Sequence, residues 1–62
     1  MYSVGIDIGG TYIKCGLVKA GKLVIKDKVA TPKENNEKLI INTISTLVDG
    51  LLEKIKATKE DI

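Results

Sequence analysis

The sequence predicts an α/β fold in which a β-meander of three strands is followed by one helix. Apolar and polar residues alternate in three early runs, as in strands with one packed face. Later, apolar residues recur every three or four positions, the spacing of one helix face. Thr31-Pro32 separates the two patterns, because proline lacks a donor for a strand ladder.

The three strands are expected at about residues 3–8, 12–19 and 22–29. Ala20-Gly21 favours a tight two-residue reversal between the second and third strands. The apolar residues expected to share a face within each strand are Val4, Ile6 and Ile8, then Ile13, Cys15 and Leu17, then Leu23 and Ile25. Consecutive antiparallel pairing of these strands makes the meander.

The helix is expected over about residues 36–57. Asn35 or Asn36 can cap its first turn through the side-chain oxygen. Gly50 costs about 1 kcal/mol relative to alanine inside a helix, so it marks either the close approach of a neighbour or a weak point. The apolar stripe, expected in the core, is Ile40, Ile44, Leu47, Leu51 and Ile55.

Length and composition restrict the possible functions. Sixty-two residues make one small domain at most, and its stability alone would be marginal. A net charge of +2 gives no reason to propose nucleic acid or a membrane as a partner. Cys15 is the single cysteine and histidine is absent, which excludes an intrachain disulfide and a zinc site with several Cys or His ligands. The cytoplasm is therefore the expected compartment. Cys15 alternates with Ile13 and Leu17 and has no histidine base for a nucleophile, so it is interpreted as a core residue.

The segment Gly5-Ile6-Asp7-Ile8-Gly9-Gly10-Thr11 is the candidate functional site. It places an acidic residue near the end of a strand and two glycines and a threonine at the reversal, an arrangement that suits a phosphate and its metal ion. Glycines that adopt positive φ allow backbone N–H groups to approach an anion, and Thr11 adds a hydroxyl donor. Asp7 can hold hydrated Mg²⁺ near bound phosphates. The same residues also fit an ordinary Gly-Gly hairpin turn that binds nothing. They match neither the P-loop nor the Rossmann signature.

The run from Val4 to Thr11, continuing through Ile13 to Val18, resembles the amino terminus of the ROK family (repressor, open reading frame, kinase). That family includes bacterial glucokinases, fructokinases and N-acetylmannosamine kinases. The resemblance covers nearly the whole chain, although hexokinases and other actin-like proteins share the Asp-x-Gly-Gly-Thr core. It implies the start of an actin-like ATPase (ribonuclease H-like) domain, truncated before a next strand near Ile62.

The resemblance also implies the roles of individual residues in an ATP-dependent sugar kinase. Asp7 would organise Mg²⁺ through water. Lys14 either adds positive charge at the phosphates or is a solvated strand lysine, and the sequence leaves both interpretations open. The residues implied to contact ATP phosphates are Gly9, Gly10 and Thr11. The family commonly has lysine at the next position, so Tyr12 is not expected to contact phosphate.

The family's catalytic aspartate, its sugar-binding residues and its zinc motif all lie later in the chain and have no counterpart here. This chain is therefore expected to hold no catalytic residue and to be inactive alone, with a hexose or amino sugar as the substrate of the parent protein. No helix-turn-helix precedes the loop as in the repressor branch, which favours an enzyme. Two alternatives remain: a non-enzymatic sugar-responsive regulator of the same fold, and a freestanding small α/β module that binds partners.

The first strand continues into a larger sheet in the actin-like fold, as the resemblance implies. Its edge, with Val4, Ile6 and Ile8, would then be exposed in this chain, and an exposed edge is a template for pairing with another chain. Self-association is expected, as a dimer joined through strand edges or the helix stripe. The parent protein is expected to be a homo-oligomer.

Overall fold

The computed structural model describes residues 1–34 and 36–62. Its strands form one antiparallel sheet in the order β1-β2-β3, and one helix follows them. This is the meander with a single helix that the sequence predicts. The elements are β1 (Ser3–Ile8), β2 (Tyr12–Lys19), β3 (Lys22–Ala30), α1 (Glu37–Lys54) and a 3₁₀ turn at Lys59–Asp61.

The core lies between α1 and one face of the sheet, with the helix packed on β2 and β3. The buried side chains are Ile13, Cys15 and Leu17 from β2 with Leu51 and Leu52 from α1. The face expected for β2 is therefore the packed one. The other members of the expected helix stripe are half-buried against this core: Ile40, Ile44, Leu47 and Ile55. Val4 also packs there, whereas the expectation placed it among the exposed residues of the first strand.

An irregularity in the pairing of β2 with β3 changes which residues of β3 face the core. Leu17 pairs with Ile25, and the next pair is Val18 with Leu23, so β3 carries one extra residue here. Leu23 and Ile25 consequently lie on opposite faces, and the expectation that they share one is wrong. Leu23 lies over Gly16, where a Cβ would come within 2.8 Å of the leucine Cδ1.

The reversal between β2 and β3 is the two-residue turn that the sequence predicts. Ala20 and Gly21 both have positive φ, 53° and 76°. Two consecutive positive values are typical of a type I′ turn, whose twist matches that of the flanking strands.

The first turn of α1 is capped by Asn36, one of the two residues suggested by the sequence. Its side-chain oxygen accepts hydrogen bonds from the N–H groups of Lys38, at 3.0 Å, and Leu39, at 3.3 Å. Asn35, the other candidate, lies outside the described residues. The cap satisfies donors that have no partner within the helix.

Helix α1 ends at Lys54, three residues before the expected end at 57. Lys56 adopts a left-handed φ of 56°. Its N–H donates to the carbonyl of Glu53 at 3.1 Å, and the N–H of Ala57 donates to the carbonyl of Leu52 at 2.9 Å. These two bonds form a Schellman motif, which ends the helix although a lysine occupies the position that glycine usually takes.

The last residues form a 3₁₀ turn, in the region where the sequence suggested the approach to another strand. The Asp61 carboxylate accepts a hydrogen bond from the N–H of Thr58 at 2.8 Å, and the Asp61 carbonyl accepts one from the N–H of Tyr2. The end of the chain therefore lies beside its beginning. Within the part of the chain that is described, no helix has the length and apolar character needed to cross a membrane.

Gly50 has no close neighbour in the described structure, because a Cβ placed there would meet no atom within 4 Å. It lines an open groove of about 540 Å³ between α1 and β3. Of the two reasons considered for this glycine, close approach is therefore excluded among residues 1–34 and 36–62, and a weak point in the helix remains.

Candidate phosphate-binding loop

The loop between β1 and β2 consists of Gly9, Gly10 and Thr11. The N–H of Gly9 donates to the carbonyl of Tyr12 at 2.9 Å, which closes the turn. Among the described residues, the N–H groups of Gly10 and Thr11 have no acceptor. Two neighbouring backbone donors are thus available to an anion, and such pairs are typical of phosphate sites.

Thr31, immediately after β3, holds this loop in place. Its hydroxyl donates to the carbonyl of Gly9 at 2.7 Å, and its N–H donates to the carbonyl of Thr11 at 2.9 Å. The sequence indicated only that Thr31-Pro32 leaves the sheet, and it missed this contact. A hydroxyl residue that must stay extended before proline was the available signal.

The glycines of the loop do not have the backbone geometry expected from the sequence. Among the described glycines only Gly21 has positive φ, so neither Gly9 nor Gly10 adopts it. A Cβ at Gly9 would lie 3.1 Å from the Tyr12 carbonyl oxygen, which is a tight contact. A Cβ at Gly10 would meet nothing within 4 Å. Gly9 therefore permits the close approach of the Tyr12 carbonyl within the turn. Gly10 leaves open space beside the N–H groups of Gly10 and Thr11.

Asp7 and Lys14 lie directly opposite each other in the pairing of β1 with β2. Successive residues of a strand point to opposite faces, and Ile13 and Cys15 beside Lys14 point to the core under α1. Asp7 and Lys14 therefore share the face turned away from the helix. The sequence did not define the face on which Lys14 lies, and the structure places it on the same face as Asp7. Within the described residues the two side chains form no ion pair.

Tyr12 lies on the same face as Asp7 and Lys14. The Nζ of Lys28 lies 4.5 Å from the centroid of its ring, a cation–π contact. Lys28 and Lys26 of β3 line a hollow together with Lys14. Lys26 and Lys28 were not expected in the site, although their alternation around Asp27 in the sequence indicates that they share a face.

Asp27 also borders this hollow, but its carboxylate is engaged elsewhere. One oxygen accepts the N–H of Lys28 at 2.8 Å, and the other lies 3.2 Å from the Nζ of Lys54. The Lys28 N–H first, and then Lys54, hold the pKa of Asp27 below its ordinary value. Cys15 has the opposite shift, because burial raises the pKa of its thiol. A neutral, buried thiol fits the core role expected for Cys15.

The donor set near the loop fits Mg²⁺ held indirectly. The described part of the chain has no group of three or more acidic, cysteine or histidine residues that could enclose a metal ion. Asp7 provides one carboxylate beside the loop. Mg²⁺ commonly takes one or two protein carboxylates and fills its remaining positions with water and phosphate oxygens.

A protein-family model matches nearly the whole chain. The model of the ROK family matches residues 3–60, which include the sheet, the loop and α1. The chain belongs to the ROK family. No curated protein matches it, and no solved structure matches it either. ROK proteins have the actin-like ATPase fold, and the meander with its helix is consistent with the amino-terminal part of that fold. Membership fits a sugar kinase or a related regulator.

Proposed function

We propose that this ROK chain is the amino-terminal part of an ATP-dependent sugar kinase, which transfers a phosphoryl group from ATP to a hexose or amino-sugar hydroxyl. The observation that carries the proposal is the position of Asp7 and Lys14. They lie opposite each other on the exposed face, on the two strands that the loop joins. The loop's two available N–H groups complete a set of donors suited to phosphate.

Each group has a separate task in this proposal. The N–H groups of Gly10 and Thr11, and the Thr11 hydroxyl, donate to phosphate oxygens. Gly9 keeps the turn narrow enough for that approach, and the Lys14 ammonium adds positive charge. Asp7 orients water around Mg²⁺, and the bound ion supplies neutralisation of phosphate charge. Positioning and neutralisation are most of what phosphoryl transfer requires from a protein.

The proton acceptor for the sugar hydroxyl is not among these roles. Asp7 is assigned to the metal beside the phosphates, whereas a general base must reach the hydroxyl that loses its proton. We therefore place the catalytic base and the sugar site in further sequence of a cytoplasmic, homo-oligomeric enzyme, and we expect the chain alone to be inactive. Reading the downstream coding sequence tests this. A continuation without a catalytic aspartate would favour the sugar-responsive regulator instead.

Replacement of Asp7 tests the metal role in the complete protein. Asp7→Asn should lower kcat at least about tenfold, equivalent to about 1.4 kcal/mol, because the neutral amide orients the metal-bound water less strongly. Asp49→Asn is the matched control, since Asp49 lies on α1 and pairs with Lys59. It should leave kcat unchanged. Unchanged turnover of Asp7→Asn at saturating Mg·ATP would rule the role out.

We also propose that the 62-residue chain associates with a second copy through the free edge of β1. Ile6 and Ile8 of this strand are 48% and 56% exposed. The apolar stripe of α1, the other surface expected to join two copies, packs against the sheet within one chain. The β1 edge is therefore the better candidate of the two.

A further inference from the structure

The face of the sheet turned away from α1 carries three lysines, Lys14, Lys26 and Lys28, which we call the lysine cluster. Lys14 pairs directly with Lys28, and Lys26 pairs with Gly16, the next position on the same face of β2. Alternate residues of a strand share a face, so the three side chains leave the sheet in one direction. They line a hollow of about 390 Å³.

The positive charges of the lysine cluster are not balanced by ion pairs. In the described chain the two ion pairs are Lys54 with Asp27 and Lys59 with Asp49. Asp27 borders the hollow, but Lys54 and the Lys28 N–H already engage both of its oxygens. Like charges directly opposite each other destabilise a sheet, so pairing within the fold gives no reason for this arrangement.

Asp7, opposite Lys14, is the carboxylate of the strands on this face, because Asp27 pairs with Cys15 and so lies on the face toward α1. One carboxylate against three ammonium groups leaves an excess of positive charge. The Nζ of Lys28 lies 4.5 Å from the centroid of the Tyr12 ring, a cation–π contact. The face therefore combines three exposed cations, one of them in contact with an aromatic ring, beside an open hollow.

We propose that the lysine cluster binds the phosphate group of a small molecule, as a site additional to the phosphate loop. Ammonium groups bind phosphate as point charges and form charge-assisted hydrogen bonds with its oxygens. The shared chemistry is a dianionic phosphate, carried by inorganic phosphate or by a phosphate monoester. Lys14 also belongs to the proposed nucleotide site, so Lys26 and Lys28, which belong to the cluster alone, are the residues to test.

Calorimetric titration of the intact protein tests the site, with inorganic phosphate and with glycerol 3-phosphate at constant ionic strength. The double variant Lys26→Gln/Lys28→Gln should raise the Kd of the tighter ligand at least about fivefold, or about 1 kcal/mol. Lys26→Arg/Lys28→Arg should retain binding, because it keeps both charges. The matched control is Lys19→Gln/Lys22→Gln, which removes another directly opposed lysine pair from the same strands. Its Kd should change less than about twofold.

The relative affinities of the two ligands identify the molecule that carries the phosphate. Tighter binding of glycerol 3-phosphate indicates a phosphate monoester, and tighter binding of inorganic phosphate indicates the free ion. Gly10→Val should leave saturable binding of the tighter ligand in place, whatever it does to ATP. The proposal is overturned if neither ligand binds saturably, or if the control variant loses as much as Lys26→Gln/Lys28→Gln. It is also overturned if Gly10→Val alone abolishes binding, because the phosphate would then occupy the loop.

Discussion

The two edge strands of the sheet, β1 and β3, differ in the charge they carry and in how far the helix covers them. Strand β3 carries three lysines and one aspartate, and α1 packs on it. Strand β1 carries Asp7 as its single charge, and Ile6 and Ile8 are about half exposed. Lysines on an edge discourage pairing with other chains. Strand β3 therefore has the protection of a permanent edge, whereas β1 has the composition of a strand that is paired and covered.

The largest expected effect is on the free energy of unfolding, and it distinguishes a buried residue of β2 from an exposed residue of β1. Ile8 and Ile13 are direct partners on the same face, yet Ile8 is 56% exposed and Ile13 is fully buried. Ile13→Ala should lower the free energy of unfolding by about 2–5 kcal/mol, because it leaves a cavity in the core. In the monomer, at concentrations below those at which the chain associates, Ile8→Ala should change it by about 0.5 kcal/mol or less. Urea unfolding of both variants checks this, and equal losses would show that Ile8 is already covered in solution.

The next effect concerns association through the β1 edge. Analytical ultracentrifugation of the 62-residue chain at micromolar concentration should show a dimer. Ile8→Lys should weaken the dimer at least about tenfold, or about 1.4 kcal/mol, since a charge on the edge opposes pairing. Ile41→Lys is the matched control, because Ile41 is 58% exposed but lies on α1. A cooperative folded monomer would refute the association, and a disordered monomer would show that folding requires further sequence.

A smaller effect concerns the helix that covers β3. Gly50→Ala should raise the free energy of unfolding by about 1 kcal/mol, because alanine favours the helix and its Cβ would meet no atom within 4 Å. The midpoint of urea unfolding measures this. A loss of stability would mean that the groove between α1 and β3 is filled in solution, and that β3 is more completely covered than described.

Local patterns predicted much of this fold because the interactions behind them are local. Alternation identified the buried face of β2, and turn chemistry identified the reversal at Ala20-Gly21. The end of α1 was missed because Lys56 takes a left-handed position where glycine is usual. The separation of Leu23 from Ile25 was missed because one extra residue in β3 shifts the register.

The candidate site was predictable in part for the same reason. Its loop residues are adjacent in sequence, so Asp7 and the glycines could be recognised together. Thr31 reaches Gly9 across 22 residues of sequence, and no local pattern reports such a contact. Lys26 and Lys28 join Lys14 only through the pairing of β2 with β3, which the sequence suggests but does not define.

The central claim, that the loop after β1 binds ATP phosphates, is tested most directly by one pair of variants in the complete protein. A Cβ would meet nothing within 4 Å at Gly10 or at Gly5, so valine should strain neither position, and only Gly10 lies in the loop. Titration of each variant with Mg·ATP and with the sugar separates the two binding sites. Gly10→Val should weaken ATP binding at least about tenfold and sugar binding less than about twofold, while Gly5→Val changes neither. Unchanged ATP affinity in Gly10→Val would contradict the claim, and so would equal losses of ATP and sugar affinity, because they would show that the glycine serves the fold and not the nucleotide.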